Sequence, residues 1–331
     1  MNLRLGTRGS QLARYQANSV AALLHERAGV DTEIVIIRTS GDRLAEAALS
    51  EIGGKRLFVK EIEDALLAGE VDIAVHSSKD MPAVLPDGLE VGAVLPRADP
   101  RDAIVLPQRE DVAEQRQASG SPLPIEDIVR ELGRAPRIGT SSVRRSAQLT
   151  RLFPGARFLP IRGNLDTRLR KLDFGEFDAI VLAAAGLTRL EHAARISAYL
   201  PADVCVPAPG QGIIAVEIRS GDTRTRDAVG QINDRPSGAA LIAERAVVRR
   251  LGGGCQMPIG AFAQIDGESL RATGIVISID GDRAERADAV GSVADADAIG
   301  VRVAEQLLVQ GAGAILDAVQ REHASVEGLQ P

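Results

Sequence analysis

The sequence has few of the residues that build disulfide frameworks, metal sites and stacking surfaces. Its 331 residues include two cysteines, four histidines and no tryptophan, and aromatic residues make up only 2%. Cys205 and Cys255 alone form neither a disulfide framework nor a four-cysteine zinc site, and no histidines are spaced as paired ligands. We therefore expect no metal site.

The sequence also lacks excess positive charge and a long apolar run. Lys and Arg number 39 against 45 Asp and Glu, a net charge of −6, which argues against nucleic acid as a partner. The longest apolar run spans about nine residues, whereas a helix that crosses a bilayer needs about 20. Residues 1–10 contain no apolar signal core. We expect a soluble, cytoplasmic protein with no membrane partner.

What the sequence does contain is a repeated alternation of strand and helix patterns. Residues 3–7, 33–38, 71–76 and 89–95 read as strands, and a second series of strands lies at 137–139, 157–161 and 178–184. Helical patterns lie between them, the first with Ser10 as its N-cap. This alternation predicts two parallel, doubly wound α/β units.

The pattern changes after about residue 234. A helix, a Gly252-Gly253-Gly254-Cys255 loop, hairpin-like strands within 259–279 and terminal helices from about residue 294 predict a smaller α+β domain. Because residues 201–212 look like a connection back, the predicted domains are 1–99 with 213–230, then 103–206, then 235–331. The sequence alone does not determine the oligomeric state; we expect a monomer.

Several arginines lie where predicted helices begin, although a helix N-terminus disfavours cations and attracts anions. Each also follows a predicted strand, the end at which open α/β sheets bind ligands. Taken singly, each can be an ordinary surface residue. Taken together they predict a cleft that binds several carboxylates or phosphates. The residues are Arg8, Arg144, Arg145, Arg162, Arg168 and Arg189.

Two further residues, Asp80 and Cys255, are candidates for a chemical role. Lys79 and Asp80 follow the predicted strand 71–76, which places a carboxylate in the same cleft. There Asp80 can stabilise a developing cation or move protons, or it can simply cap a turn. Cys255 follows three glycines, which suits a covalent attachment point, although a free cysteine is also a common small core residue.

The ordered set of motifs resembles the porphobilinogen deaminase family, also called hydroxymethylbilane synthases, over nearly the whole chain. The matching stretches are Leu5-Gly6-Thr7-Arg8-Gly9-Ser10, Val75-His76-Ser77-Ser78-Lys79-Asp80, Asp99-Pro100-Arg101-Asp102, Gly139-Thr140-Ser141-Ser142-Val143-Arg144-Arg145, Arg162-Gly163-Asn164, Pro209-Gly210-Gln211-Gly212 and Gly253-Gly254-Cys255-Gln256-Met257-Pro258.

This resemblance implies a fold, a cofactor and a reaction. The fold would be two α/β domains like those of type II periplasmic binding proteins around a cleft, with the small third domain carrying Cys255. The cofactor would be a dipyrromethane held by a thioether to Cys255. Four porphobilinogen molecules would then be added head to tail with loss of ammonia, before water releases the linear tetrapyrrole hydroxymethylbilane.

The resemblance also implies roles for individual residues. Asp80 would be the catalytic carboxylate that stabilises the cation formed when ammonia leaves. Cofactor contacts would come from Lys79, Asp80, Ser142, Arg144, Arg145, Arg168 and Arg189. Substrate contacts would come from Arg8, Ser10, Lys55, Arg145, Arg162 and Arg168.

Two alternatives and three departures from the family pattern accompany this interpretation; one departure is Ser78, which stands where the family often has a larger residue before the Lys79-Asp80 pair, with no consequence expected for Asp80. A non-catalytic two-domain protein that binds a polycarboxylate would use the same cleft, but would leave the Cys255 loop unexplained. A Cys255 acyl or thiol transferase would need a general base that the scattered histidines do not supply. Arg56 stands where the family usually has glycine, and residues 108–124 look like a solvated insertion.

Overall fold

The computed structural model describes residues 2–40, 59–108, 122–254 and 257–327. Two five-stranded sheets, each covered by helices, and one three-stranded sheet account for its strands. The predicted fold class, two α/β units with a smaller α+β unit, is therefore confirmed.

The first sheet has the strand order β2–β1–β3–β10–β4. Its strands are β1 (Asn2–Thr7), β2 (Asp31–Ile36), β3 (Ile73–Ser77), β4 (Leu89–Val94) and β10 (Ile214–Arg219). The helices of this part of the chain are α1 (Gln11–Ala28), α2 (Lys60–Leu67) and α7 (Thr223–Gly230). Leu3 and Leu5 alternate along one face of β1, and Val20 and Leu24 lie one turn apart on α1. All four side chains are fully or almost fully buried and belong to the core of this unit.

The second sheet has the order β7–β6–β8–β5–β9. Its strands are β5 (Asp102–Val105), β6 (Arg137–Gly139), β7 (Arg157–Leu159), β8 (Ala179–Ala183) and β9 (Ala198–Leu200). Its helices are α3 (Ile125–Leu132), α4 (Val143–Thr150), α5 (Leu165–Asp173) and α6 (Ala184–Arg189).

The third sheet is an antiparallel meander of β11 (Ile259–Asp266), β12 (Ser269–Ile277) and β13 (Ala284–Ser292). Three helices accompany it: α8 (Arg235–Leu251), α9 (Ala296–Gln310) and α10 (Ala312–Glu327). Val247 of α8, Leu270 of β12 and Val303 of α9 pack in one core. Glu244 of α8 binds Arg97 and accepts hydrogen bonds from the backbone N–H groups of Gly210 and Ala263, which joins this core to the rest of the molecule.

The predicted parallel pairing is confirmed for β1, β2 and β3 and for β6, β7 and β8, but it is wrong for the other strands of the two sheets. β10 runs antiparallel to β3 and β4, and β5 runs antiparallel to β8 and β9. These antiparallel strands flank the two passages that cross between the sheets, at 95–101 and 201–213, so the crossings explain the reversed direction. The sequence pattern missed β5 and β9, which are four and three residues long. It also missed β13, which lies beyond the predicted hairpin.

Candidate active site

The site is built around a short turn that follows β3. Residues Ser78–Asp80 form one 3₁₀ turn, closed by the hydrogen bond from Met81 N to Ser78 O of 3.2 Å. The amide of Ser78 donates to the carbonyl of Ile213 at 3.0 Å, and the side chain of Met81 is buried. Both ends of the turn are thereby anchored, which leaves Lys79 and Asp80 partly exposed on a fixed backbone.

The beginning of α1 faces the same turn. Ser10 caps this helix, as predicted, because its hydroxyl accepts a hydrogen bond from Ala13 N. Arg8, Ser10 and Asp80 line one cavity of about 60 Å³, together with Gln16 and His76. The structure therefore brings two predicted substrate-binding residues next to the predicted catalytic carboxylate.

The beginning of α4 contributes two buried arginines. Ser142 caps the helix by accepting a hydrogen bond from Arg145 N at 3.4 Å. Arg144 and Arg145 are only 5% and 7% exposed, and each binds one oxygen of the buried Asp102 carboxylate at 2.7 Å. Arg144 also donates to the carbonyl of Val206 and Arg145 to that of Val181. Burial and pairing fix both guanidinium groups in place.

The beginning of α5 contributes Arg168, with Arg162 shortly before it. Asn164 caps this helix through the amide of Thr167, and the Arg168 Nε donates to Gly163 O at 2.9 Å. Burial, followed by repulsion from Arg145 and Arg162, lowers the pKa of Arg168 to about 10, while Asp80 opposes this shift. Burial also lowers the pKa of Arg162. Arg145, Arg162 and Asp80 therefore all act electrostatically on Arg168.

Lys79 belongs to the same group. Burial, and then the positive charge of Arg145, lowers its pKa to about 8, although Asp80 and Asp102 act in the opposite direction. Cations with depressed pKa values gain stability when an anion approaches. The site therefore combines a partly exposed carboxylate with several cations and is suited to a ligand that carries more than one carboxylate.

Arg189 is placed differently from the prediction. It ends α6 instead of beginning a helix, because α6 starts at Ala184, directly after β8. Its guanidinium donates to Gly212 O at 2.7 Å, and burial lowers its pKa. Arg189 thus lies at the crossing segment, and the contacts described for it do not include the other predicted arginines.

Some predicted residues lie outside the part of the chain that the structure describes. Lys55, Arg56 and Cys255 are among them, as are residues 109–121 of the proposed insertion. The other cysteine, Cys205, is completely buried, and burial raises the pKa of its thiol to about 12.

The sequence interpretation assigned no role to three buried polar residues at the site. Gln16 donates to Ser77 Oγ, Asp102 holds the two arginines of α4, and Gln211 accepts a hydrogen bond from Lys79. A signal existed for each. Gln16 occupies the apolar face of α1 between Leu12 and Val20, and Asp102 and Gln211 stand inside motifs that carry the family resemblance.

Within residues 2–40, 59–108, 122–254 and 257–327, no three His, Cys, Asp or Glu side chains are grouped so as to hold a metal ion. In the same ranges no single helix has the length and hydropathy to cross a membrane. One helix pair bent by 81°, 293–310 with 312–322, meets those criteria by length and composition only.

Comparison with known families gives two matches in chain order. Residues 3–227 match the family described as porphobilinogen deaminase, dipyromethane cofactor binding domain. Residues 239–309 match porphobilinogen deaminase, C-terminal domain.

Curated relatives agree with these matches. The porphobilinogen deaminase of Syntrophobacter fumaroxidans is 45% identical over 321 residues, which cover 96% of this chain and 98% of the relative. That of Moorella thermoacetica is 44% identical over 329 residues, covering 99% of this chain and 100% of the relative.

Comparison with solved structures gives, among others, the following two matches. An ancestral cationic amino acid solute binding protein is 16% identical with a TM-score of 0.39, covering 70% of this chain and 87% of the other. The second substrate binding domain of a putative amino acid ABC transporter from Streptococcus pneumoniae is 11% identical with a TM-score of 0.42, covering 70% and 90%.

Proposed function

The chain belongs to the porphobilinogen deaminase family, and on that premise we propose that it is a hydroxymethylbilane synthase. It joins four porphobilinogen molecules head to tail on an enzyme-bound dipyrromethane, with loss of ammonia, and water then releases hydroxymethylbilane. The observation that carries this proposal is the single carboxylate of Asp80 beside Lys79, Arg145 and Arg168, on a turn anchored at both ends.

The residues present fit a dipyrromethane. Its acetate and propionate groups need several cations, and the depressed pKa values of Lys79 and Arg168 identify cations that an anion would stabilise. When bound, the dipyrromethane supplies the pyrrole carbon to which the first substrate is joined. We propose that it is attached through a thioether to Cys255, since Cys205, the other cysteine of the chain, is completely buried.

The cations of the site orient the carboxylates of cofactor and substrate. We assign cofactor contacts to Lys79, Ser142, Arg144, Arg145, Arg168 and Arg189, and substrate contacts to Arg8, Ser10, Lys55, Arg145, Arg162 and Arg168. A planar guanidinium binds a carboxylate through two parallel hydrogen bonds, which fixes direction as well as position. Holding each substrate in one orientation brings its reactive methylene next to the acceptor ring.

Asp80 stabilises the positive charge that forms in the step that releases ammonia. Loss of ammonia from the aminomethyl group of porphobilinogen leaves positive charge on the pyrrole. A fixed carboxylate beside that ring stabilises the charge, and stabilisation of this kind lowers a barrier by several kcal/mol in a site of low dielectric. The anchored 3₁₀ turn keeps the Asp80 carboxylate in position without reorganisation.

The alternative of a non-catalytic polycarboxylate-binding protein accounts less well for the observations. The family matches extend through the third domain, which a two-domain clamp does not require. We also propose that the protein is cytoplasmic and monomeric. The proposed domains are residues 1–99 with 213–230, residues 103–206 and residues 235–331.

Ammonia release tests the proposed function directly. Purified protein incubated with porphobilinogen is expected to release one ammonia for each porphobilinogen consumed and to produce a linear tetrapyrrole that cyclises to a porphyrin precursor. The variant Asp178→Asn, which removes a carboxylate from an ion pair away from the site, serves as a control and should release ammonia as the wild type does. Reversible binding of porphobilinogen without ammonia release would support the binding-protein alternative instead.

A further inference from the structure

Asp102 is a charged residue without access to solvent. It begins β5, directly after the Asp99-Pro100-Arg101 crossing, and its side chain is 0% exposed. Its Oδ2 accepts from Arg144 at 2.7 Å and from the Cys205 thiol at 3.5 Å. Its Oδ1 accepts from Arg145 through Nη2 at 2.7 Å and through Nε at 2.9 Å. The carboxylate is therefore saturated with donors and cannot touch a ligand.

Gln211 connects this carboxylate to the turn that carries Asp80. Its amide nitrogen donates to Asp102 Oδ1 at 2.9 Å and to the carbonyl of Pro100 at 2.7 Å. Its amide oxygen accepts from Lys79 Nζ at 3.4 Å. Because Gln211 is only 1% exposed, the chain from Asp102 to Lys79 runs through the protein interior.

A buried ion pair of this kind is weak as a source of stability. Removing a carboxylate and two guanidinium groups from water costs several kcal/mol per ion, and well-packed apolar residues often stabilise such a position better. The arrangement does fix where three cations point, since Arg144, Arg145 and Lys79 converge on one carboxylate and one amide.

We propose that Asp102 is a positioning residue, which holds Arg144 and Arg145 directly and Lys79 through Gln211 in the orientation that receives the carboxylates of the cofactor. This inference rests on the proposed function, because the carboxylates to be received are those of a dipyrromethane. Asp102 itself contacts neither cofactor nor substrate.

The electrostatics of the cluster agree with this role. Burial alone would raise the pKa of Asp102, but the charges of Arg144 and Arg145 and hydrogen bonds from Arg145 and Gln211 hold it well below its usual range. Asp102 in turn raises the pKa of Lys79, as Asp80 does, against the lowering effects of burial, Arg145 and Arg144. Asp102 therefore helps to keep Lys79 protonated at neutral pH.

The test is the titration of Lys79 in Asp102→Asn, which has nearly the same shape without the charge. The chain has only four lysines, Lys55, Lys60, Lys79 and Lys171, so ¹³C-dimethylation gives a simple NMR spectrum that Lys79→Gln assigns. We expect Lys79 to titrate at lower pH in Asp102→Asn than in the wild type. Asp178→Asn, which breaks an ion pair at the opposite end of the second sheet, leaves the titration unchanged.

Cofactor loading is the second readout. Intact mass after incubation with porphobilinogen is expected to show loading of Asp102→Asn slowed about tenfold or more, since displaced binding groups cost factors of that size. An unchanged Lys79 titration together with wild-type loading would overturn the proposal. If the wild type itself fails to load, the proposed function fails, while the Lys79 titration still tests the positioning role.

A second variant, Gln211→Met, tests the link from Asp102 to Lys79 if Asp102→Asn does not fold. Gln211→Met has similar volume, keeps both arginine contacts of Asp102 and removes the acceptor of Lys79. We expect it to fold, to load more slowly than the wild type and to show a higher KM for porphobilinogen with a smaller change in kcat. Wild-type loading and KM in a folded Gln211→Met would overturn the link from Asp102 to Lys79.

Discussion

The ammonium of Lys79 donates a hydrogen bond of 3.4 Å to the amide oxygen of Gln211, a residue 132 positions later in the sequence. This contact joins the turn after β3 to the segment that returns from the second sheet to the first. Burial and the charge of Arg145 lower the pKa of Lys79 to about 8. Lys79 directly precedes Asp80, to which we assign the catalytic carboxylate.

The pKa of Lys79 gives a prediction for pH dependence. Only the protonated ammonium attracts a carboxylate, and with a pKa of about 8 the Lys79 ammonium is half protonated near pH 8 and loses its remaining charge as the pH rises further. We expect cofactor loading, followed by intact mass, to slow as pH rises through this range. Lys79→Gln should load slowly and lack this alkaline fall, whereas Lys171→Gln should behave as the wild type. Loading that stays constant up to about pH 10, the ordinary pKa of lysine, would contradict the assignment.

Asp80→Asn tests the catalytic carboxylate. The substitution keeps the shape of the side chain and removes its charge, so the 3₁₀ turn and the fold should be retained while most turnover is lost. We expect kcat to fall by about a hundredfold or more, the size of effect seen when one preorganised electrostatic group is removed. Thermal unfolding verifies the fold, and ammonia release measures kcat. Near-normal kcat in a folded Asp80→Asn would show that Asp80 does not stabilise the reacting cation.

Arg168→Gln tests the carboxylate-binding cations. A charged hydrogen bond to a ligand contributes about 1.5–3 kcal/mol, so its loss should weaken carboxylate binding by about tenfold to a hundredfold. We expect slower cofactor loading and a higher KM for porphobilinogen. The matched control is Arg170→Gln, which removes an exposed arginine from the same helix. Equal effects of the two variants would mean that Arg168 has no special place in the cleft.

Gly212 tests the geometry of the crossing segment. Its φ is 88°, in the left-handed region, and a Cβ there would overlap the backbone carbonyl oxygen of Ala98. Gly221 has the same φ of 88° with nothing near the Cβ position. Gly221→Ala should therefore lose only the conformational term, about 1–2 kcal/mol of the free energy of unfolding.

Gly212→Ala should lose more, because it adds a backbone clash to the same conformational term. Urea unfolding of the two variants, measured in parallel, gives the contribution to the free energy of unfolding of the close approach between the two passages that cross between the sheets, at 95–101 and 201–213. Equal losses of stability would indicate that the segment at Ala98 yields easily and does not fix the relation between the sheets.

The sequence predicted those elements whose signals are local. The Ser10 cap and the position of Arg144 and Arg145 at the beginning of a helix follow from short-range rules, and Arg8, Lys79 and Asp80 were placed correctly at strand ends. Strand direction was not predictable in this way, because pairing of β10 with β3 depends on a partner more than a hundred residues away. The same reason explains why Asp102 and Gln211 were missed.

Arg189 was misplaced because α6 starts immediately after β8, without a capping side chain to mark its first residue. Gly186 lies two residues into this helix, and glycine is unfavourable inside helices, so the local sequence favours a later start. A glycine within a run of small apolar residues is compatible with either position, so only the tertiary packing decides between them.

The most direct test of the central claim is the intact mass of the wild type beside Cys255→Ser and Cys205→Ser. The two cysteines are the only thiols of the chain, and Cys205 is buried with its pKa raised to about 12, which makes it an unreactive control. After incubation with porphobilinogen, the wild type and Cys205→Ser should both carry a covalent excess equal to two linked pyrrole units, and Cys255→Ser should carry none. A wild type that stays unmodified, or an excess that persists in Cys255→Ser, would contradict the account.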